Sequence, residues 1–205
     1  MAAEASLDHL LRRGLLWKGG ETPANGSRML SSGFGELDRI TGGGWPAGAL
    51  VELVSASSLG LSLLAPVLAR LSTEPRWLAW VDPPWHPHAP ALAARGIEVA
   101  RLLRVKSRDG KEGLWAAEQL LRSGNCSAVL LWPARIGSAR LRRLQLAAGQ
   151  GDCLGVLFRP LGVERENSMA ALRLRLEGDG AGLRVKVLKR RGGWSGGEAV
   201  VPCSG

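Results

Sequence analysis

The sequence predicts an α/β fold, a mostly parallel doubly wound sheet with helices on both faces and a C-terminal antiparallel β-hairpin. Two patterns carry this prediction. Between residues 49 and 158, short apolar runs alternate with helical segments of about ten residues, the rhythm of βαβ units. Beyond residue 170 the period changes to two. Leu172, Leu174 and Leu176 alternate with Arg173, Arg175 and Glu177, and Leu183, Val185 and Val187 with Arg184 and Lys186. The glycine-rich connection 178–182 then joins an antiparallel pair with one solvated face.

The elements follow in order. Residues 1–20 carry a short amphipathic helix, with Ser6 as N-cap and Leu7, Leu10 and Leu11 on one face. Residues 21–31 read as a linker rich in Gly, Pro, Asn and Ser. The core spans 32–190. Strands are expected at 49–54, 77–81, 100–106, 128–132 and 154–158, and helices at 59–71, 89–95, 112–122 and 138–148. Gly42-Gly43-Gly44-Trp45-Pro46 is a turn, and residues 191–205 read as a flexible tail.

With 205 residues, 45% hydrophobic and 22% charged, the chain is of ordinary globular composition and long enough for a buried core. No basic region followed by an apolar core opens it, so no signal peptide is expected. The apolar stretch 49–69 is interrupted by Glu52, several Ser and Pro66, which argues against a membrane span. Three Cys without a CxxC pair fit a reducing cytoplasm. Of the 27 basic and 18 acidic residues, 8 and 9 fall within 1–100, so the excess charge of +9 belongs to the second half. A basic half points to nucleic acid or an acidic partner, or to a solvated arginine-rich surface. His86 and His88 flank Pro87 near Asp82, but without a third ligand they read as loop residues and no metal site is expected. Trp77, Trp80, Trp115 and Trp132 are expected in the core; Trp17, Trp85 and Trp194, near segment ends, are candidate interface anchors.

Ser55 to Ser62, between a strand and a helix, stands where a phosphate loop would. Such a loop needs glycines for backbone N–H groups to curl round phosphate, a Lys to neutralise it and a hydroxyl for magnesium. Here Ser55 replaces the first Gly and Leu61 the Lys, leaving Gly60 and Ser62. From these residues alone, a plain strand–turn–helix without nucleotide is the better reading, and no cofactor is expected.

The run Ser32-Gly33-Phe34-Gly35-Glu36-Leu37-Asp38, continuing through Gly42-Gly43-Gly44-Trp45-Pro46 to Leu53, resembles the start of a RecA-type recombinase core. So do Trp77-Leu78-Ala79-Trp80-Val81-Asp82, Leu92 to Leu103 and Leu183 to Lys189, in compatible order. The resemblance implies a RecA-like core that has lost its chemistry. Leu61 stands at the phosphate-loop Lys, Trp132 at the metal-organising Asp, Pro83 and Pro84 at the catalytic Glu, and Arg159 and Pro160 at the sensor Gln. Phosphoryl transfer depends on those placed charges, so the chain is not expected to be an enzyme.

Within RecA-like proteins the chain looks more like the ImuA family, through Leu7 to Gly19, Trp77 to Val81, Leu114 to Gln119 and Lys189 to Gly193. That resemblance implies a non-catalytic cytoplasmic accessory factor of SOS-induced translesion synthesis. It would bridge an ImuB-like inactive Y-family polymerase homologue to an error-prone replicative-type polymerase, and would meet RecA or DNA. The alternative is a SulA-like SOS cell-division inhibitor that binds the tubulin-like protein FtsZ. Candidate contacts are Leu10, Trp17, Arg140, Arg142, Arg143, Lys186, Lys189, Arg190, Arg191 and Trp194. Leu61 and Trp132 are expected to fill the former nucleotide pocket.

Overall fold

The computed structural model describes residues 28–56, 59–133, 135–180, 182–193 and 195–202. The expected N-terminal helix, with Leu10 and Trp17, lies outside these residues, as does Trp194. Strand β1 (Met29–Leu30) pairs antiparallel with β2 (Trp45–Pro46), so the expected linker ends in a strand. Between them lies α1 (Gly35–Thr41), a helix the sequence reading did not include. Gly42 ends α1 in the left-handed region, its N–H donating to the Asp38 carbonyl. The Asp38 carboxylate accepts from Ser31 Oγ and from Ser32 N and Oγ, tying β1 to α1.

The main body runs β3 (Leu50–Val54), α2 (Leu61–Ser72), β4 (Trp77–Val81), α3 (Ala89–Ala93), β5 (Leu102–Val105), α4 (Gly110–Arg122), β6 (Cys126–Leu131), α5 (Ser138–Gln150) and β7 (Leu154–Arg159). Then come β8 (Leu172–Asp179), β9 (Gly182–Arg190) and β10 (Glu198–Val201). All eight strands from β3 to β10 form one sheet in the order β10-β9-β8-β3-β7-β6-β4-β5. From β8 to β5 every neighbouring pair is parallel, while β8–β9 and β9–β10 are antiparallel. The expected mostly parallel α/β sheet with a C-terminal antiparallel hairpin is the architecture observed.

Side-chain alternation along the strands divides the core in two. Val51, Leu53, Leu78, Trp80, Leu130, Val156, Phe158, Leu174 and Val185 face α1, α2 and α3. Leu50, Ala79, Val81, Val129, Leu131 and Leu157 face α4 and α5. Helix α4 begins where Asp109 accepts from the N–H groups of Lys111 and Glu112, an N-cap that removes two orphan donors. Helices α4 and α5 are joined through Glu118, buried at 1% exposure, whose Oε1 accepts from Arg122 and Arg143.

Two expectations are corrected here. The stretch 191–205 is not a loose tail throughout. Glu198–Val201 pairs with β9, and Ala199 and Val201 alternate inward to join Ile40 of α1 in the core. Trp115 and Trp77, expected in the core, are 57% and 41% exposed. Trp115 falls on the solvent side of α4, while Leu121 and Ala117 take the buried side.

Candidate functional site

In open α/β sheets, ligands bind at the carboxyl ends of the parallel strands. Here that edge gathers the loops after β3, β4, β6 and β7. The loop after β3 leads to Gly60, which N-caps α2 at a φ of 119° without a side-chain cap. A Cβ on Gly60 would lie 2.7 Å from Leu176 Cδ1 and 3.0 Å from Leu53 Cδ1, with Phe158 behind at 3.7 Å. So the side of Gly60 on which a side chain would stand is occupied by hydrocarbon. Leu61 and Trp132, expected to fill the former nucleotide pocket, pack against the same core cluster and line the cavity described next. Ser55 is buried and Ser62 lies in the first turn of α2. None of the described side chains of this loop is charged.

Trp132 follows β6 and stacks on Phe158, centroids 4.6 Å apart and planes 3° apart. Trp80 tilts against Trp132 at 5.9 Å. Stacked and tilted pairs of this kind add to the stabilisation from buried area. On the α2 and α3 side, this aromatic wall opens into a cavity of about 250 Å³. Leu61, Ala65, Leu92 and Ile97 complete the apolar lining. Pro83, Trp85 and Pro87 lie on the loop after β4, with Trp85 56% exposed. The polar lining is Ser62, His86, His88 and Arg95, with no carboxylate among them. Arg104 Nη1 lies 3.1 Å from His86 Nδ1, adding a further cation. The loop is pinned at its start by Asp82, held at a φ of 50° while its carboxylate accepts from Ser107 N and Oγ. No group of three or more His, Cys, Asp or Glu among the described residues could hold a metal ion.

The expected basic contacts are dispersed. Arg143 is taken up by Glu118, and Lys186 pairs with Glu198 across β9 and β10. Lys189 donates to the Ser168 carbonyl, and burial pushes its ammonium below its ordinary range. Arg191 donates to the Met169 carbonyl at 3.3 Å. Arg190 lies where a side chain on Gly42 or Gly193 would be. Arg140 and Arg142 are on α5.

The family model described as "Cell division inhibitor SulA" matches residues 49–155. The chain belongs to the SulA family. The matched span runs from just before β3 into β7, so it contains Trp80, Trp85, Trp132 and the whole 250 Å³ cavity. The chain is 35% identical over 109 residues to the "Cell division inhibitor SulA" of Edwardsiella piscicida, covering 53% of this chain and 62% of that protein. To that of Photorhabdus laumondii subsp. laumondii it is 33% identical over 111 residues, covering 54% and 63%. The chain thus spans less than two-thirds of the length of these relatives. A similar solved chain is the "Crystal structure of SulA from Pseudomonas aeruginosa", at 30% identity and a TM-score of 0.46, covering 56% of this chain and 99% of that one.

The family match and the two sequence relatives overturn the ImuA reading. With it go the ImuB-like partner, the error-prone polymerase and the role in translesion synthesis. Trp77-Leu78-Ala79-Trp80-Val81 and Leu114 to Gln119 lie inside the SulA match, so they do not single out ImuA. Lys189 to Gly193 lies outside it. The family is described as a cell division inhibitor. No described helix is long and apolar enough to cross a membrane.

Proposed function

We propose that the chain is a non-catalytic inhibitor of bacterial cell division, induced in the SOS response, that binds the tubulin-like protein FtsZ in the cytoplasm. One observation carries the reading. Within the span matched to the SulA family, a half-exposed Trp85 stands at the mouth of an apolar cavity backed by Trp80 and Trp132. Aromatic side chains of this kind dominate binding energy when a partner covers them. The cations around the mouth suit a partner that brings an apolar anchor flanked by carboxylates. A RecA-like core with hydrocarbon packed against Gly60 suits a binding role, because that loop's described residues offer no charge to a triphosphate. Arg190 and Arg191 are secondary contacts in this reading.

Expression in bacteria without DNA damage tests it. Filamentation is the expected outcome. Trp85→Ala at equal abundance should relieve it, whereas Trp115→Ala, on the opposite face, should not. Normal division with the unaltered chain, or equal relief by both variants, would contradict the reading.

A further inference from the structure

The carboxyl edge carries a second concavity, on the α4 and α5 face, open and about 640 Å³ in volume. That is within the range of sites that hold small organic ligands. Leu114, Ile136, Val163 and Pro160 give it an apolar wall. Lys111, Arg135 and Arg140 stand round it, and Arg159 and Glu166 complete the lining. Most neighbouring cations on this face are already neutralised: Arg108 by Glu112, and Arg122 and Arg143 by Glu118. Lys111, Arg135 and Arg140 make no ion pair among the described residues.

Two further features converge on the same space. Helix α5, of 13 residues, starts here, and its N-cap Gly137 lines the concavity with no side-chain cap. Its first N–H groups therefore lack a side-chain acceptor and carry the positive end of the helix dipole. Arg159 is only 4% exposed, yet lines the concavity. Its Nη2 donates to Glu166 and its Nη1 lies 3.5 Å from Glu52 Oε1, while Nε is buried with no hydrogen-bond partner.

We propose that this concavity binds a phosphate-bearing anion of the nucleotide class. Its phosphates would sit at the start of α5 between Arg135 and Arg140, with the organic part against Leu114 and Ile136. Three unpaired cations and an uncapped helix start exceed what one carboxylate would satisfy. Guanidinium groups and helix N-termini match phosphate oxygens in geometry as well as charge. The site is separate from the loop at Gly60, which lies toward the opposite face of the sheet, and it does not depend on the FtsZ reading.

Calorimetry on the full chain at low salt, with inorganic pyrophosphate, a nucleoside diphosphate and a short single-stranded oligonucleotide, tests the proposal. At least one of the two small phosphates should bind. Equal affinity would mean that the phosphate groups alone are read; tighter nucleoside diphosphate binding would mean that the apolar wall contributes. Combined Arg135→Ala and Arg140→Ala should weaken binding by about tenfold or more, because both guanidinium groups that would hold the phosphates are removed. Arg142→Ala, exposed on the same helix outside the concavity, should not. Both variants alter solvent-reachable side chains, and melting without ligand checks their folding. The proposal is overturned if neither small phosphate binds, if only the oligonucleotide binds, or if Arg142→Ala weakens binding as much as the double variant.

Discussion

Replacing Glu52 by Gln should be among the most damaging single changes in the molecule. Glu52 is fully buried on β3, with Arg173 Nε 2.5 Å from its Oε2 and Arg159 Nη1 3.5 Å from its Oε1. Both guanidinium groups are buried, so neither can turn to water when the carboxylate is neutralised. Breaking a buried pair from one side costs about 3–5 kcal/mol. Here the lower end applies. Arg173 keeps the carbonyls of Val163, Glu164 and Glu166 as acceptors, and Arg159 keeps the Glu166 carboxylate. About 3 kcal/mol in a domain of this size lowers the melting temperature by about 6–12 °C. Circular dichroism on heating measures it. Because Arg173 also clamps the 163–166 loop, early loss of protection in that loop's amides is expected in hydrogen exchange. Replacing Glu52 and Arg173 together by Met removes the charge and one partner, so it should be milder than Glu52→Gln. A shift below about 2 °C for Glu52→Gln would mean that Arg159 and Arg173 do not need the carboxylate, and the reasoning would fail.

Three further outcomes follow from the packing and the titrating groups. Gly60→Val places a side chain at a φ of 119° and against Leu176, so chemical denaturation should show a loss of about 2–4 kcal/mol from strain and overpacking. Burial raises the thiols of Cys126 and Cys153, Cys153 far above the ordinary range, so in a Cys203→Ser background neither should react with a thiol reagent until the chain unfolds. Burial alone would raise the Asp38 carboxyl, but hydrogen bonds from Ser31 and Ser32, with Arg70 nearby, hold it below the usual range. A carboxyl lowered on folding stabilises above its unfolded value and loses that contribution as pH falls through its folded one. The stability gap between the unaltered chain and Asp38→Asn should therefore be present at neutral pH and close below about pH 4.

The central parallel sheet was legible because β3, β6 and β7 are buried on both faces and read as unbroken apolar runs. The β8–β9 hairpin was legible from its alternation. Helix α1 was not, because seven residues between Gly35 and Gly42 give barely two turns, too short a pattern to stand out among glycines. Strand β10 was hidden for another reason. Four residues among glycines become a strand only by pairing with β9 and covering Ile40, a long-range event with no local signal. Trp115 was misplaced because its size was read as burial, although Leu114 and Leu121, one heptad apart, share the inner face of α4 and Trp115 falls off it. At the candidate site, the absence of loop charge was readable from Leu61. The residues that crowd Gly60 come from three different strands, so nothing in the loop announced them. The cavity at Trp85 was signalled only by an aromatic residue near a segment end.

The most direct measurement is sedimentation of FtsZ polymers formed with GTP, in the presence of the unaltered chain, Trp85→Ala or Trp115→Ala. The unaltered chain and Trp115→Ala should reduce the pelleted FtsZ as they approach equal stoichiometry, and Trp85→Ala should leave it in the pellet. Full pelleting with the unaltered chain, or equal inhibition by all three proteins, would contradict an inhibitor that works through the apolar cavity at the carboxyl edge of the sheet.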